Sequence, residues 1–166
     1  RGRTVGVVGL YRNVFPDTGY AIAYGRVADV RFRDDAYRVP ESETWRYWAG
    51  NASVTREVAS QVGGYDESFR AYGWEDVDWG HRLHLLGVRV VLEPALETTH
   101  RLSAVTARSR VERAFYSGAA RRQFVAKHAL TDLAPRPPRS AWGLTVRIAA
   151  ATLTERGARR AGAVAD

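Results

Sequence analysis

Apolar positions along the chain change period several times, and each change predicts an element. Thr4-Val5-Gly6-Val7-Val8-Gly9-Leu10-Tyr11 is short, apolar and rich in β-branched residues, which predicts a buried strand. Residues 13–19 carry turn chemistry around Pro16-Asp17-Thr18-Gly19, and the apolar residues behind them predict short strands over 20–24 and 27–32. Arg31, Phe32 and Arg33 alternate in polarity, as a strand would. Residues 34–44 are polar and predict a surface loop, and Trp45 and Tyr47 alternate as on one face of a strand. Thr55 fits an N-cap, with Val58 and Val62 at i, i+4 and Gly63 placed to end a short helix. From Asp76 onward Trp79, Leu83 and Leu86 fall at helical spacing up to Gly87, and residues 88–92 predict a strand.

Beyond Arg101 the pattern turns helical again. Val111, Phe115, Gly118 and Val125 lie on or near one face, while Arg108, Arg110, Arg113, Arg121, Arg122 and Lys127 lie mostly off it, which predicts a solvated basic face or, as the alternative, contact with a diphosphate or an anionic membrane. Pro135, Pro137 and Pro138 interrupt the helix, and a stripe of Trp142, Val146, Ala149 and Leu153 predicts another over residues 142–156.

Length and charge narrow the classes. The 166 residues suffice for one domain with a real core. Lys and Arg number 25 against 18 Asp and Glu, a net charge of +7 carried almost entirely by arginine. Such a surface attracts polyanions: nucleic acid, anionic lipid head groups or a diphosphate. The absence of cysteine excludes disulfides and thiolate metal sites. No apolar run reaches the length needed to span a bilayer, so the expectation is a cytoplasmic protein, or one peripheral at the inner face of the plasma membrane. Gly6 and Gly9 lack both the spacing and the following helix of a phosphate loop.

The chemistry concentrates between Gly63 and His100. Gly63-Gly64-Tyr65-Asp66-Glu67-Ser68-Phe69 is followed closely by Tyr72-Gly73-Trp74-Glu75-Asp76-Val77-Asp78-Trp79-Gly80. Glu75 and Asp76 fall at a helix N-terminus, where unpaired N–H groups and the helix dipole favour negative charge and predict ionised carboxylates. Such acids either stabilise their own helix or stand ready to accept a proton. His81 and His84 lie on that helix without a partner ligand at i, i+4 and are expected to be exposed.

The ordered combination of Gly-Gly-Tyr-Asp-Glu-x-Phe, Gly-Trp-Glu-Asp-Val-Asp, a helix ending in Leu-Gly, a Val-rich strand and then His100 resembles the acceptor half of inverting GT-A glycosyltransferases, clearly over residues 45–101. Within that family the similarity is to bacterial sugar transferases and to the C-terminal segment of animal galactosyltransferases. Gly50-Asn51-Ala52-Ser53 resembles a segment that lines the acceptor side. The resemblance implies an α/β fold: a partial GT-A, Rossmann-like sheet with flanking helices over residues 1–103, and a helical C-terminal extension over 104–166. It implies that Asp76 is the general base, that Trp74, Glu75 and Asn51 contact the acceptor, and that His100 is a ligand of a divalent metal, Mn²⁺ or Mg²⁺. The implied partners are a nucleotide-sugar donor and a glycan or lipid-linked acceptor. No Asp-x-Asp precedes the acceptor motif, there is no methionine, and the chain begins Arg1-Gly2-Arg3, so the donor-binding half is expected to be missing. Two rivals remain, a non-catalytic carbohydrate-binding fragment and a basic nucleic-acid-binding domain.

Overall fold

The expected first strand becomes the centre of the sheet. In the computed structural model, which describes residues 5–70, 72–101, 106–133, 156–157 and 160, β1 (Val5–Val8) lies between β3 (Ala52–Ser53), antiparallel to it, and β4 (Arg89–Leu92), parallel to it. A second pair is formed by β2 (Tyr11–Asn13) and β5 (Thr98–His100), also parallel, with Asn13 opposite His100. The chain therefore runs twice along the same path, β1 into β2 and β4 into β5. The crossings touch backbone to backbone: a Cβ on Gly9 would stand 2.0 Å from the Leu96 carbonyl oxygen. That contact explains the glycine without a phosphate loop.

Residues 20–32 depart from the expected strands. A π-helical turn, Ala21–Gly25, runs into α1 (Arg26–Ala36). The buried positions are small ones, Ala21, Gly25 and Ala36, whereas Ile22, Val27 and Val30 face outward. Small residues at near-helical spacing let the helix approach the body closely, and polar contacts complete the seam. The Asn13 amide donates to Asp29, Asp29 pairs with Arg33, and Arg33 reaches Glu97 at 3.5 Å. Glu97 also accepts from the Tyr37 hydroxyl at 2.8 Å; burial, with this bond, pushes Tyr37 up to about 12.

The expected loop over 34–44 is instead the end of α1 and the start of a 3-10 helix, Glu41–Tyr47. Trp45 and Tyr47 consequently stand on helical turns and not on a strand. Trp45 and Trp48 are buried, as core aromatics should be, and Trp48 stacks on Trp79 at 4.9 Å.

Helices α2 (Arg56–Val62) and α3 (Glu75–Leu85) follow the sequence pattern. Thr55 caps α2 through Val58 N at 3.4 Å, and Gly63 leaves it at φ +78°. Gly80 of α3 is required by proximity, since a Cβ there would lie 2.2 Å from the Trp45 carbonyl oxygen. Helix α4 (Ala107–His128) opens on a reciprocal Thr106–Ser109 capping box and inserts Phe124, fully buried, between Trp45, Trp74 and His81. Ala120 and Phe124 thus share one core with Val8, Leu83 and Val90.

This docking corrects one expectation. His81 is buried under α4, 4.3 Å from the His128 ring, and burial followed by the neighbouring histidines pushes it down to about 4. Lys127 is exposed, as expected, and its ammonium also bridges Asp78 and Asp66, 2.6 Å from each. His84 is exposed as expected. All but the last residue of the helix expected over 142–156 lies outside the described residues. The architecture is mixed α/β, small sheets with several helices, consistent with part of a Rossmann-like fold. Among the described residues no helix is long and apolar enough to cross a membrane.

Candidate active site

The loop before α3 is shaped by two consecutive residues in the left-handed region, Gly73 at φ +95° and Trp74 at φ +74°. Glycine adopts that conformation freely, but for a bulky residue it costs about 1–3 kcal/mol and persists only when the surroundings enforce it. They do so here. The Trp74 indole N–H donates to Ser117 Oγ at 3.0 Å, and its ring packs on Phe124 at 5.1 Å. Asp78 N then donates to Trp74 O at 2.8 Å, opening α3 with Glu75 and Asp76 in its first turn.

Asp76 lines a cleft of about 530 Å³ whose other walls include Tyr11, Asn13, Tyr20, Phe32, Trp48 and His100. The two residues expected to carry the chemistry thus share one cavity. Burial raises the Asp76 pKa; a hydrogen bond with Tyr65 pulls it down, and the adjacent Glu75 charge adds to the rise. The helix end alone predicted a stabilised anion, but desolvation outweighs it. Glu75 Oε2, next to Asp76 in the chain, is buried without a hydrogen-bond partner, and Glu75 is not among the residues that line the cleft.

The register of β2 against β5 sets the His100 tautomer. Asp29 accepts only, so the Asn13 amide nitrogen faces it, and Asn13 Oδ1 is left toward His100 Nδ1 at 3.1 Å. Nδ1 therefore carries the proton and Nε2 keeps its lone pair. The ring is further held by stacking on Tyr11 at 4.7 Å. An oriented imidazole of this kind fits a metal ligand, but one ligand is not a site: among the described residues no three His, Asp or Glu side chains gather as metal ligands. Asp29, the nearest carboxylate in the chain of contacts, is already committed to Asn13 and Arg33.

The other expected acceptor residues stand elsewhere. Trp74 is turned to α4. The Asn51 amide donates to the carbonyls of Gly9 and Leu96, each at 2.9 Å, and so ties the two strand crossings together. Three features of the site take their roles only in the structure. Tyr65, half exposed and stacked on Trp79 at 6.1 Å, modulates Asp76. Arg110 and Arg113 of α4 line the cleft. Asp78, fully buried, fastens α3 to α4 by accepting from Lys127 Nζ at 2.6 Å and His128 Nε2 at 2.7 Å, with Arg82 Nε at 3.0 Å on its own helix. The i, i+3 spacing of Arg110 and Arg113 was visible, but which helix face meets the cleft is a tertiary fact.

A family described as the N-terminal domain of galactosyltransferase matches residues 35–107, the span that holds Asn51, Asp76 and His100. The similarity is to glycosyltransferases. An uncharacterized glycosyltransferase, YfnE of Bacillus subtilis (strain 168), is 32% identical over 87 residues, 51% of this chain and 21% of that protein. Validoxylamine A glucosyltransferase of Streptomyces hygroscopicus subsp. jinggangensis is 40% identical over 42 residues, 25% of this chain and 10% of that one. The chain spans about a fifth of the first of these glycosyltransferases and a tenth of the second. No solved structure matches it. Together these likenesses support sugar transfer in general.

Proposed function

We propose that this chain forms the acceptor side of a GT-A, nucleotide-sugar-dependent glycosyltransferase that inverts configuration, with Asp76 as the general base. The observation that supports this most is that Asp76 and His100 line one cleft within a stretch similar to glycosyltransferases. In this reading an acceptor hydroxyl, from a glycan or a lipid-linked sugar, lies against Asp76. Its oxygen forms a bond to the anomeric carbon as the bond to the nucleoside diphosphate breaks. The hydroxyl proton passes to the Asp76 carboxylate, and the electron pair of the broken bond leaves with the diphosphate. Partial burial makes Asp76 a stronger base than an exposed aspartate, while the attacking hydroxyl becomes acidic only as its new bond forms, so a carboxylate suffices.

Glu75 is assigned to the acceptor by the resemblance, and its buried Oε2 has a hydrogen-bond place still to fill. Trp74 and Asn51 contribute by position: one locks the loop that carries the base, the other holds the crossing that carries Tyr11 and Asn13. His100 Nε2 is one ligand for the divalent cation that the resemblance implies, its remaining ligands and the donor-binding half coming from outside the described residues. Such a cation, when bound, neutralises charge on the leaving diphosphate.

The test is to incubate the full-length protein with a panel of nucleotide sugars, with and without glycan and lipid-linked acceptors. Acceptor-dependent release of nucleoside diphosphate, with a product of inverted anomeric configuration by NMR, is expected. Retention of configuration, or sugar binding with no release across the panel, would overturn it, the latter in favour of a non-catalytic carbohydrate binder.

A further inference from the structure

Two cations in the cleft are left over from the chemistry above. Arg110 and Arg113 stand one turn apart on α4, so their side chains share a face. Among the described residues neither guanidinium is ion-paired with a carboxylate, in contrast to Arg46 on the same cleft, which has Glu43 at 2.8 Å and Asp132 at 3.5 Å. Arg113 is held by Tyr72, whose hydroxyl accepts from its Nη1 at 3.2 Å and whose ring lies 4.7 Å from its central carbon. Arg110 faces the opposite wall. Burial raises the Tyr20 hydroxyl, and the Arg110 charge pulls it back. Arg110 closes the first turn of α4, where the helix dipole disfavours a cation and no acidic residue stands, and Arg113 follows one turn further along.

We propose that Arg110 and Arg113 form an anion subsite on the acceptor side of the cleft, and that the acceptor carries a phosphate or pyrophosphate group close to its reacting hydroxyl. The inference rests on the transferase reading and deepens it. The side follows from Tyr72, which positions Arg113 and lies on the loop that delivers Asp76, four residues along. Inversion places the leaving diphosphate on the face opposite the base, so a cation fixed beside the base's own loop meets the acceptor and not the donor. Two guanidinium forks suit a doubly charged phosphate, with paired N–H donors to its oxygens.

The test compares two probes by calorimetry on the full-length protein: glucose 1-phosphate, against glucose, for the acceptor subsite, and uridine diphosphate for the donor site. The R110Q/R113Q variant should bind glucose 1-phosphate at least tenfold more weakly than wild type while its affinity for uridine diphosphate changes less than twofold. R110K/R113K, which keeps the charge but not the fork, should fall between, and thermal melts of both variants check that α4 is intact. Weaker uridine diphosphate binding in R110Q/R113Q assigns the pair to the donor and overturns the proposal. So does a wild-type protein that binds glucose 1-phosphate no better than glucose. An Asp76→Asn protein separates the two readings: if it still transfers sugar, the base assignment fails while the anion subsite stands or falls on the arginine variants alone.

Discussion

Asp78→Asn tests whether α3, the helix that carries Asp76, is held in place by a buried ion cluster. The Asp78 side chain has no exposed surface and meets three donors, Lys127, His128 and Arg82. Burial alone would raise its pKa; the hydrogen bonds from Lys127 and His128 outweigh burial and hold it below the usual carboxylate value. Removing one partner from a buried pair costs about 3–5 kcal/mol, because the partners are left without a counter-charge. Here the low end applies. Lys127 keeps Asp66, and Arg82 keeps the carbonyls of Val62 and Gly64, so among the described residues His128 is the one donor left without another hydrogen-bond partner. A loss of about 3 kcal/mol corresponds to a fall in Tm of about 9 °C for a chain of this size. Urea unfolding followed by tryptophan fluorescence measures it. The sign with pH is fixed: a carboxylate depressed in the folded state stabilises above its unfolded pKa, and that contribution is lost as pH falls through the folded one. The wild-type advantage should therefore be full at neutral pH and shrink below about pH 4. Asp66→Asn, at the exposed end of the cluster, should leave the midpoint near wild type. An Asp78→Asn protein within about 1 kcal/mol of wild type at pH 7 would refute the cluster as a fastening.

Two further outcomes follow from the same geometry. Tyr65→Phe removes the hydrogen bond that lowers the Asp76 pKa, so the acid limb of kcat/KM should move to higher pH, and an unmoved limb in a pH–rate profile would separate Tyr65 from the base. Gly80→Ala drives a methyl group to within 2.2 Å of the Trp45 carbonyl, and the overpacking should cost about 3 kcal/mol in chemical denaturation, whereas Gly64→Ala, with open space around its Cβ position, should cost far less.

The parts of the fold that were legible share a property: their signal is local. The Val-rich run of β1, the Thr55 cap with Gly63 behind α2, and the spacing of Trp79 and Leu83 before Gly87 each specify an element within a dozen residues. Residues 20–32 were misread because the usual code is reversed there. Apolar Ile22, Val27 and Val30 face outward while Ala21 and Gly25 pack inward, and the helix is fixed by Asp29 and Arg33 reaching distant partners. Hydrophobic patterning assumes that the large apolar side chains are the buried ones. His81 failed for a related reason: it lies where α3 meets α4, and α3 alone does not show which polar residue its partner will cover. In the site, Asp76 and His100 came from an ordered motif, and the structure puts both on one cleft. Trp74 came from the same motif and Asn51 from the segment before it, and their polar groups are engaged with the protein itself.

The central claim is that Asp76 takes the proton of an acceptor hydroxyl, and the most direct measurement is the turnover of Asp76→Asn in the full-length protein with a donor and acceptor that the wild type joins. Loss of a positioned base predicts a fall in kcat of about 10²–10⁴-fold, with the dissociation constant of the acceptor nearly unchanged. An Asp76→Asn enzyme that keeps kcat near wild type, or that loses acceptor binding and turnover together, would contradict the claim.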